Sequence, residues 1–261
     1  MIGVIIPAHD EARCIGPRVL SLIQAARHPA LRGEEVRIIV VLDSCTDETG
    51  VVALSLGADI LLVQTRNVGV ARATGAKAAL VQQVRWLAFT DADTMVAADW
   101  LVQQLKCAAD AVCGVISIQD WAGHCDAVRE QFLTTYCDAD GHRHIHGANL
   151  GVSAEAYLLV GGFLPLESNE DVALVQALIA AEVTIAWSAA PRVVTSARLD
   201  SRTPKGFGAT LREVSRRLTP RAGPIPLGQP EPVWTKDRTE YGALVPDQHA
   251  VDLMTSRNAP S

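Results

Sequence analysis

Apolar and polar positions along the chain alternate between two periods. Val4-Ile5-Ile6 is a short apolar run stopped at Pro7, which cannot donate to a strand ladder. From Glu11 onward Ile15, Val19, Leu22, Ile23 and Ala26 recur at helical spacing, with Pro17 in the first turn where a missing N–H costs little. Val36 to Leu42 is a second apolar run. The polar turn Asp43 to Asp47 follows it, and Thr46 or Asp47 suits the cap of a helix. Ile60 to Val63 predicts a third strand, Gly69 to Val84 an Ala-rich helix, and Trp86 to Thr90 a strand buried on both faces. Strand and helix alternate through the first ninety or so residues, which predicts a parallel sheet with helices on its faces.

The second half is less regular. Asp99 to Ala109 predicts a helix, Val112 to Ile118 a strand, and Val128 to Tyr136 a helix within a mixed polar segment. Ile145 to Val152 predicts a strand, and Glu155 to Val160 a short helix ended by Gly161-Gly162. Asn169 to Ala181 predicts a helix and Val183 to Ser188 a strand. Leu211, Val214 and Leu218 then mark an amphipathic helix surrounded by Arg212, Arg216, Arg217 and Arg221, with Arg202 and Lys205 upstream. Prolines recur from Pro220 onward, so the tail is expected to be extended or to wrap the body. One domain over 1–261 is expected.

Composition narrows the class. With 49% hydrophobic and 20% charged residues in 261, a substantial core can form. A net charge of −6 argues against a general nucleic-acid binder. No apolar run approaches the ~18 residues of a membrane span. The N-terminus lacks a signal peptide's basic region and cleavage site. The six cysteines show no Cys-x-x-Cys spacing, so reduced thiols of a cytoplasmic protein are expected.

The candidate chemistry sits at strand ends. Asp91 and Asp93 close the Trp86–Thr90 strand at i and i+2, so both carboxylates point to one side. Hard Mg²⁺ or Mn²⁺ ions take such oxygens together with substrate phosphates. Alone, Asp-x-Asp reads first as an acidic turn that merely closes a strand. Here it joins Pro7-Ala8-His9-Asp10-Glu11, Asp43-Ser44-Cys45-Thr46-Asp47, and Arg66-Asn67-Val68-Gly69 with Arg72, each after a predicted strand. Ligands of open α/β sheets gather at that edge.

In order and spacing these motifs resemble the inverting glycosyltransferases of family 2. The likeness extends downstream to Gly147-Ala148-Asn149, Gly161-Gly162-Phe163 and Glu170-Asp171, over about residues 1–190. The resemblance implies a GT-A, Rossmann-like fold: an α/β architecture with a mostly parallel central sheet and helices on both faces. It implies a nucleotide-binding half over about 1–95, an acceptor-side half over about 96–220, and a Pro-rich extension over about 221–261. Pro7, Ala8, Glu11, Asp43, Asn67, Arg72 and Asp91 would line the nucleotide. Asp93, with Asp91 nearer the ribose or the metal's waters, would hold Mn²⁺ or Mg²⁺. The donor would be a nucleotide-diphosphate sugar, a UDP-sugar favoured over a GDP-sugar, and the acceptor is unnamed.

Asp171 would be the general base, with Glu170 the next candidate. The competing reading is a capping box, Ser168-x-x-Asp171. His146, Gly147 and Asn149 would face the acceptor. His142 and His144, in a charged stretch, are expected at a solvated edge. His249 could complete the metal's coordination, as a C-terminal His does in some related enzymes.

The chain also departs from the pattern. Leu42 replaces the second acidic residue of the usual Asp-Asp pair, and Ser44-Cys45 replaces Gly-Ser. The Gln-x-x-Arg-Trp motif of processive synthases is absent, which argues for a non-processive enzyme. Two alternatives stay open: a non-catalytic nucleotide-sugar-binding protein on the same fold, and a nucleotidyltransferase. The acidic turn after the first strand disfavours the latter, which normally has a Gly-rich basic loop there. A dinucleotide-dependent oxidoreductase would need Gly-x-Gly-x-x-Gly after a strand, which Gly69 and Gly75 do not supply.

Overall fold

The apolar runs of the front half become parallel strands: β1 (Ile2–Ala8), β2 (Val36–Asp43), β3 (Asp59–Val63) and β4 (Trp86–Phe89). The computed structural model describes residues 1–121, 123–198 and 207–218. β1 lies between β2 and β4, paired from Ile2↔Val36 to Ala8↔Leu42 on one side and from Ile2↔Trp86 to Ile5↔Phe89 on the other. Its alternation serves two cores. Ile2, Val4 and Ile6 pack with Ile15, Val19 and Leu22 of α1 (Ile15–Ala26). Ile5, on the opposite face, packs with Ala71, Ala76 and Ala79 of the helix after β3.

Between those two helices runs the short α2 (Thr49–Ser55), and the helix after β3 is α3 (Val68–Val81). α3 begins where Asn67 Oδ1 accepts the N–H of Val70 at 3.0 Å. It lies close to the sheet because its inner face is small. A Cβ at Gly75 would stand 2.5 Å from Ile5 Cγ2, and one at Gly69 would run into the backbone of Leu164 and Leu166.

The second half adds β5 (Met95–Val96), α4 (Trp100–Lys106), β6 (Ala111–Ile118), α5 (Asp126–Thr135), β7 (Leu150–Ser153) and α6 (Ala154–Leu159). It ends with α7 (Glu170–Ala180), β8 (Ile185–Thr195) and α8 (Phe207–Leu218). Among the described residues the sheet has the order β3-β2-β1-β4-β7-β6-β8-β5. It is mostly parallel; β7 runs antiparallel to β4 and β6, and β5 antiparallel to β8.

Three elements differ from expectation. The strand predicted from Ile145 begins only at Leu150, because Asn149 N–H donates to His146 O at 2.9 Å and turns the chain. β8 runs past Ser188 to Thr195: its register on β6 jumps from Gly114↔Ser188 to Val115↔Arg192, so Pro191 falls in a bulge where its missing N–H is tolerated. β5 has two residues, too few to leave a periodic signal.

On α8, Leu211 and Val214 pack with Val128 and Ala197, while exposed Arg216 and Arg217 pair with Glu213 at 3.4 and 3.0 Å. Arg202, Lys205, Arg221, His249 and the Pro-rich tail lie outside the described residues. No helix among the described residues is long and apolar enough to cross a membrane.

The α3 contact gives a stability test. Gly69→Ala forces backbone apart at a close approach, so it should destabilise by about 1–3 kcal/mol, the usual cost of overpacking. A urea melt of that variant with a wild-type midpoint would show that the approach is not tight.

Candidate functional site

The carboxyl ends of β1, β2 and β4 open on one edge of the sheet, and the polar turns found in the sequence meet there. The turn after β2 is organised by Asp43. Its buried carboxylate accepts N–H bonds from Thr65 (2.8 Å), Arg66 (2.8 Å) and Asn67 (2.7 Å), plus the hydroxyls of Thr65 (3.1 Å) and Ser44 (3.0 Å). Burial works against its charge, but these three backbone N–H groups outweigh it and hold the carboxyl below its ordinary pKa. Asn67 is spent likewise, capping α3 and donating to Pro165 O at 3.0 Å. Both residues thus shape the loop before α3, and their side chains are already committed inside the protein.

Arg72 stands at the centre. Its side chain is 3% exposed. Nη2 donates to Asp91 Oδ1 at 2.7 Å and Nη1 to Gly147 O at 2.5 Å. Nε lies 3.2 Å from Glu170 Oε1, an ion pair without hydrogen-bond alignment. Phe163, from the Gly161-Gly162-Phe163 turn, puts its ring 5.8 Å from the guanidinium carbon.

Glu170-Asp171 faces this cation. The capping box does not form: α7 starts at Asn169 in a left-handed conformation (φ 60°) without a side-chain cap. Asp171 turns inward, Oδ2 accepting from Gly147 N at 2.7 Å and Oδ1 from Val172 N at 2.8 Å. Glu170 is buried and Asp171 half-buried. Burial raises the pKa of both carboxyls, Glu170 to about 7, because Arg72 only partly offsets desolvation and their mutual repulsion.

Asp93, two residues after Asp91, is 15% exposed. Arg198, at the end of β8, reaches Asp93 Oδ2 at 3.2 Å and binds Glu11 with both nitrogens at 2.9 and 2.6 Å. Burial pushes Asp93 up to about 6 despite Arg198, with Asp91 and Glu11 adding repulsion. Arg198 is the candidate site residue that the sequence did not reveal. It sits 187 positions from Glu11 in a stretch without a motif. Pro7 and Ala8 line the same edge, half-buried and buried.

The acceptor-side expectations divide. Gly147 lies against the site through its backbone, and a Cβ there would stand 2.5 Å from Arg72 Nη2. Asn149 does not face the site: it is 1% exposed, donating to Val115 O (2.7 Å) and Pro191 O (2.9 Å) and accepting from Trp100 Nε1 (2.8 Å). Its polar atoms are consumed tying β6, β8 and α4 together.

His142 and His144 are not at a solvated edge either. Extended backbone brings His142, His144 and His146 onto one side, and the rings stack at 5.4 and 5.8 Å, with Tyr136 on His144 at 4.1 Å. Tyr136 Oη accepts from Ile116 N at 2.9 Å and hydrogen-bonds His146 Nε2 at 3.0 Å. Burial and the neighbouring rings lower His144 to about 4 and His146 to about 3, so this column is neutral at pH 7.

Residues 3–144 match the model of glycosyl transferase family 2. No curated protein matches the chain by sequence. Among solved structures, a mannosyltransferase from Pyrobaculum calidifontis in complex with GDP-Man and Mn²⁺ is similar at 17% identity and a TM-score of 0.56, over 82% of this chain and 60% of that one. TarS 1–349 of S. aureus in complex with UDP-GlcNAc matches at 14% identity and 0.59, over 79% and 61%. GalNAc-T7 with UDP, GalNAc and Mn²⁺ matches at 17% and 0.59, over 82% and 48%. The chain thus spans between 48% and 61% of those structures. These likenesses identify the fold as GT-A.

Two outcomes test the Arg72 network. Arg72→Met should lose about 3–5 kcal/mol in urea unfolding, the cost of leaving buried carboxylates uncompensated; a loss under about 1 kcal/mol would mean that the pairs are effectively solvated. The second is pH dependence. Glu170 binds its proton near pH 7 when folded but near 4.5 when unfolded, so lowering the pH across that window favours the folded state through this group. Wild type should gain stability relative to Glu170→Gln over that range, and parallel curves would contradict the shift.

Proposed function

The chain belongs to glycosyl transferase family 2, and from that membership we propose that it moves a sugar from a nucleotide-diphosphate donor to an acceptor hydroxyl, with inversion. The observation that carries this reading is the shared cation: one buried guanidinium holds Asp91 of the donor motif and Glu170 of the acceptor-side pair. Donor and base sides are thereby spaced by a rigid group, and positioning of that kind supplies much of the rate in group transfer.

On the donor side, Glu11 and Asp91 offer carboxylates to base or ribose hydrogen-bond donors. Asp43 and Asn67 act through the loop they hold, and Pro7 and Ala8 through the wall that ends β1. Asp93 and Asp91 would hold Mn²⁺ or Mg²⁺. The donor set fits: both ligands are hard oxygens, and Asp93 lies among Asp91 and Glu11, whose repulsion a cation relieves. Two carboxylates do not complete a coordination sphere, which suits an ion shared with phosphates. Bound there, the ion would supply Lewis-acid stabilisation of the departing diphosphate.

Asp171 is the proposed base. Each of its oxygens accepts one N–H, which leaves lone pairs for a proton. Its raised pKa moves it toward the range where a base works best near neutrality. It is more exposed than Glu170, whose carboxyl is turned against Arg72. His146 and the Gly147 backbone border the acceptor's approach. A protein that only binds nucleotide sugar would use the donor side alike but would not need Asp171.

Asp93→Asn should keep the fold and abolish Mn²⁺-dependent nucleotide binding; unchanged UDP and GDP affinity by calorimetry would remove the Asp-x-Asp assignment. Asp171→Asn should leave donor affinity within a few-fold and lower release of the nucleoside diphosphate by roughly 10²–10⁴. Wild-type turnover would exclude it as base. A thermal-shift panel of UDP- and GDP-sugars identifies the donor, since a ligand at 100 times its Kd stabilises by about 2.7 kcal/mol.

A further inference from the structure

The turns after β1 and β2 bring together a second donor set, chemically unlike Asp91 and Asp93. The ligating atoms of His9, Asp10 and Cys45 lie within 4.8 Å of one another, the one such group of three among the described residues. It comprises one nitrogen, one oxygen and one sulfur. Hard ions such as Mn²⁺ and Mg²⁺ favour all-oxygen sets, whereas imidazole with thiolate selects zinc-like ions.

Each ligand is already oriented by the opposite turn. His9 Nδ1 lies 2.7 Å from Asp43 O. A carbonyl only accepts, so Nδ1 carries the hydrogen and the neutral ring keeps its lone pair on Nε2. A carbonyl behind the distal nitrogen is the usual support of a metal-bound histidine. Nε2 faces Asp10 Oδ2 at 3.8 Å. Asp10 sits at φ 50°, and its Oδ1 is fixed by the N–H groups of Thr46 at 2.6 Å and Asp47 at 3.2 Å. Cys45 Sγ accepts from Asp10 N at 3.4 Å and lies 3.3 Å from Ala8 O.

We propose that His9 Nε2, Asp10 Oδ2 and Cys45 Sγ form a binding site for Zn²⁺, separate from the Asp-x-Asp pair. Tetrahedral Zn²⁺ with bonds of 2.0–2.3 Å spaces its ligands by about 3.3–3.6 Å. The His9–Asp10 separation is already close to that, and the remaining gaps need about an ångström of side-chain rotation. Three protein ligands leave a fourth position for water. As the Zn–S bond forms, the Cys45 thiol releases its proton to solvent. The ion would tie the β1 turn to the β2 turn, beside Glu11 and directly behind the Asp43 carbonyl.

Co²⁺ added to the full chain is the probe, because thiolate ligation gives a near-ultraviolet charge-transfer band and four-coordination gives intense d–d bands. Wild type should show both at one equivalent and lose both on adding Zn²⁺. Cys45→Ser should lose the charge-transfer band. His9→Asn should weaken Zn²⁺ binding, read by competition with a chromophoric chelator, by more than about 100-fold, beyond the 10–100-fold effect of losing a support behind a ligand. Asp93→Asn should change neither. Far-ultraviolet circular dichroism checks the fold of each variant, and His9→Asn carries the test if Cys45→Ser does not fold. A band surviving in Cys45→Ser, an unchanged Zn²⁺ affinity in His9→Asn, loss of binding in Asp93→Asn, or no stoichiometric Co²⁺ binding in wild type would overturn the assignment.

Discussion

A buried guanidinium needs anionic and carbonyl partners close at hand. Removing a charge from water costs several kcal/mol, recovered only if good acceptors arrive together. Arg72 meets that demand with Asp91, Glu170 and the carbonyl of Gly147, drawn from the end of β4, the start of α7 and the turn before β7. Three segments far apart in sequence are therefore held to one geometry. Three carboxylates surround this single cation, since Asp171 also feels it, so its charge only partly offsets the burial that raises the pKa of Glu170 and Asp171.

Space around Arg72 is made by leaving side chains out. Gly147 has no Cβ, so its backbone can approach the guanidinium, offering its carbonyl to Arg72 and its N–H to Asp171. Gly69, three residues before Arg72, lets α3 lie against the 164–166 backbone, which carries the chain from Phe163 to α7. Packing and electrostatics thus act on the same segments. A shift of α3 would disturb the ion pairs, and loss of the ion pairs would remove what draws α7 inward.

The donor edge is built differently. Asp43 spends its carboxylate on backbone N–H groups and rigidifies a loop, while Glu11 and Asp93 share Arg198, a residue 28% exposed. The solvent-accessible pair is the weaker constraint. Beside it lie His9, Asp10 and Cys45, of which Cys45 stands where this chain departs from the family pattern, Ser44-Cys45 replacing Gly-Ser.

The front half was legible because its physics is local. Strands buried on both faces must be apolar throughout, and their polar ends are the only places left for carboxylates. Val4–Ile6, Val36–Leu42 and Trp86–Phe89 therefore announced both the sheet and the edge where Glu11, Asp43, Asp91 and Asp93 gather, while Ile60–Val63 forms a more exposed edge strand. What residue type and spacing could not convey was the direction in which each polar group spends its hydrogen bonds. Asp171 could equally cap its helix or turn inward, and only a glycine N–H 24 positions away decided it. Asn149, buried at a junction of three elements, and Arg198, bound to Glu11, likewise acquire their roles from partners remote in sequence. His142 and His144, expected at a solvated edge, are instead covered by Tyr136 and the β8 chain. The sequence by itself determined the alternation of elements and which residues stand at strand ends; the tertiary structure alone decided which of those residues are spent on partners inside the protein, because burial and long-range pairing orient the groups in the site.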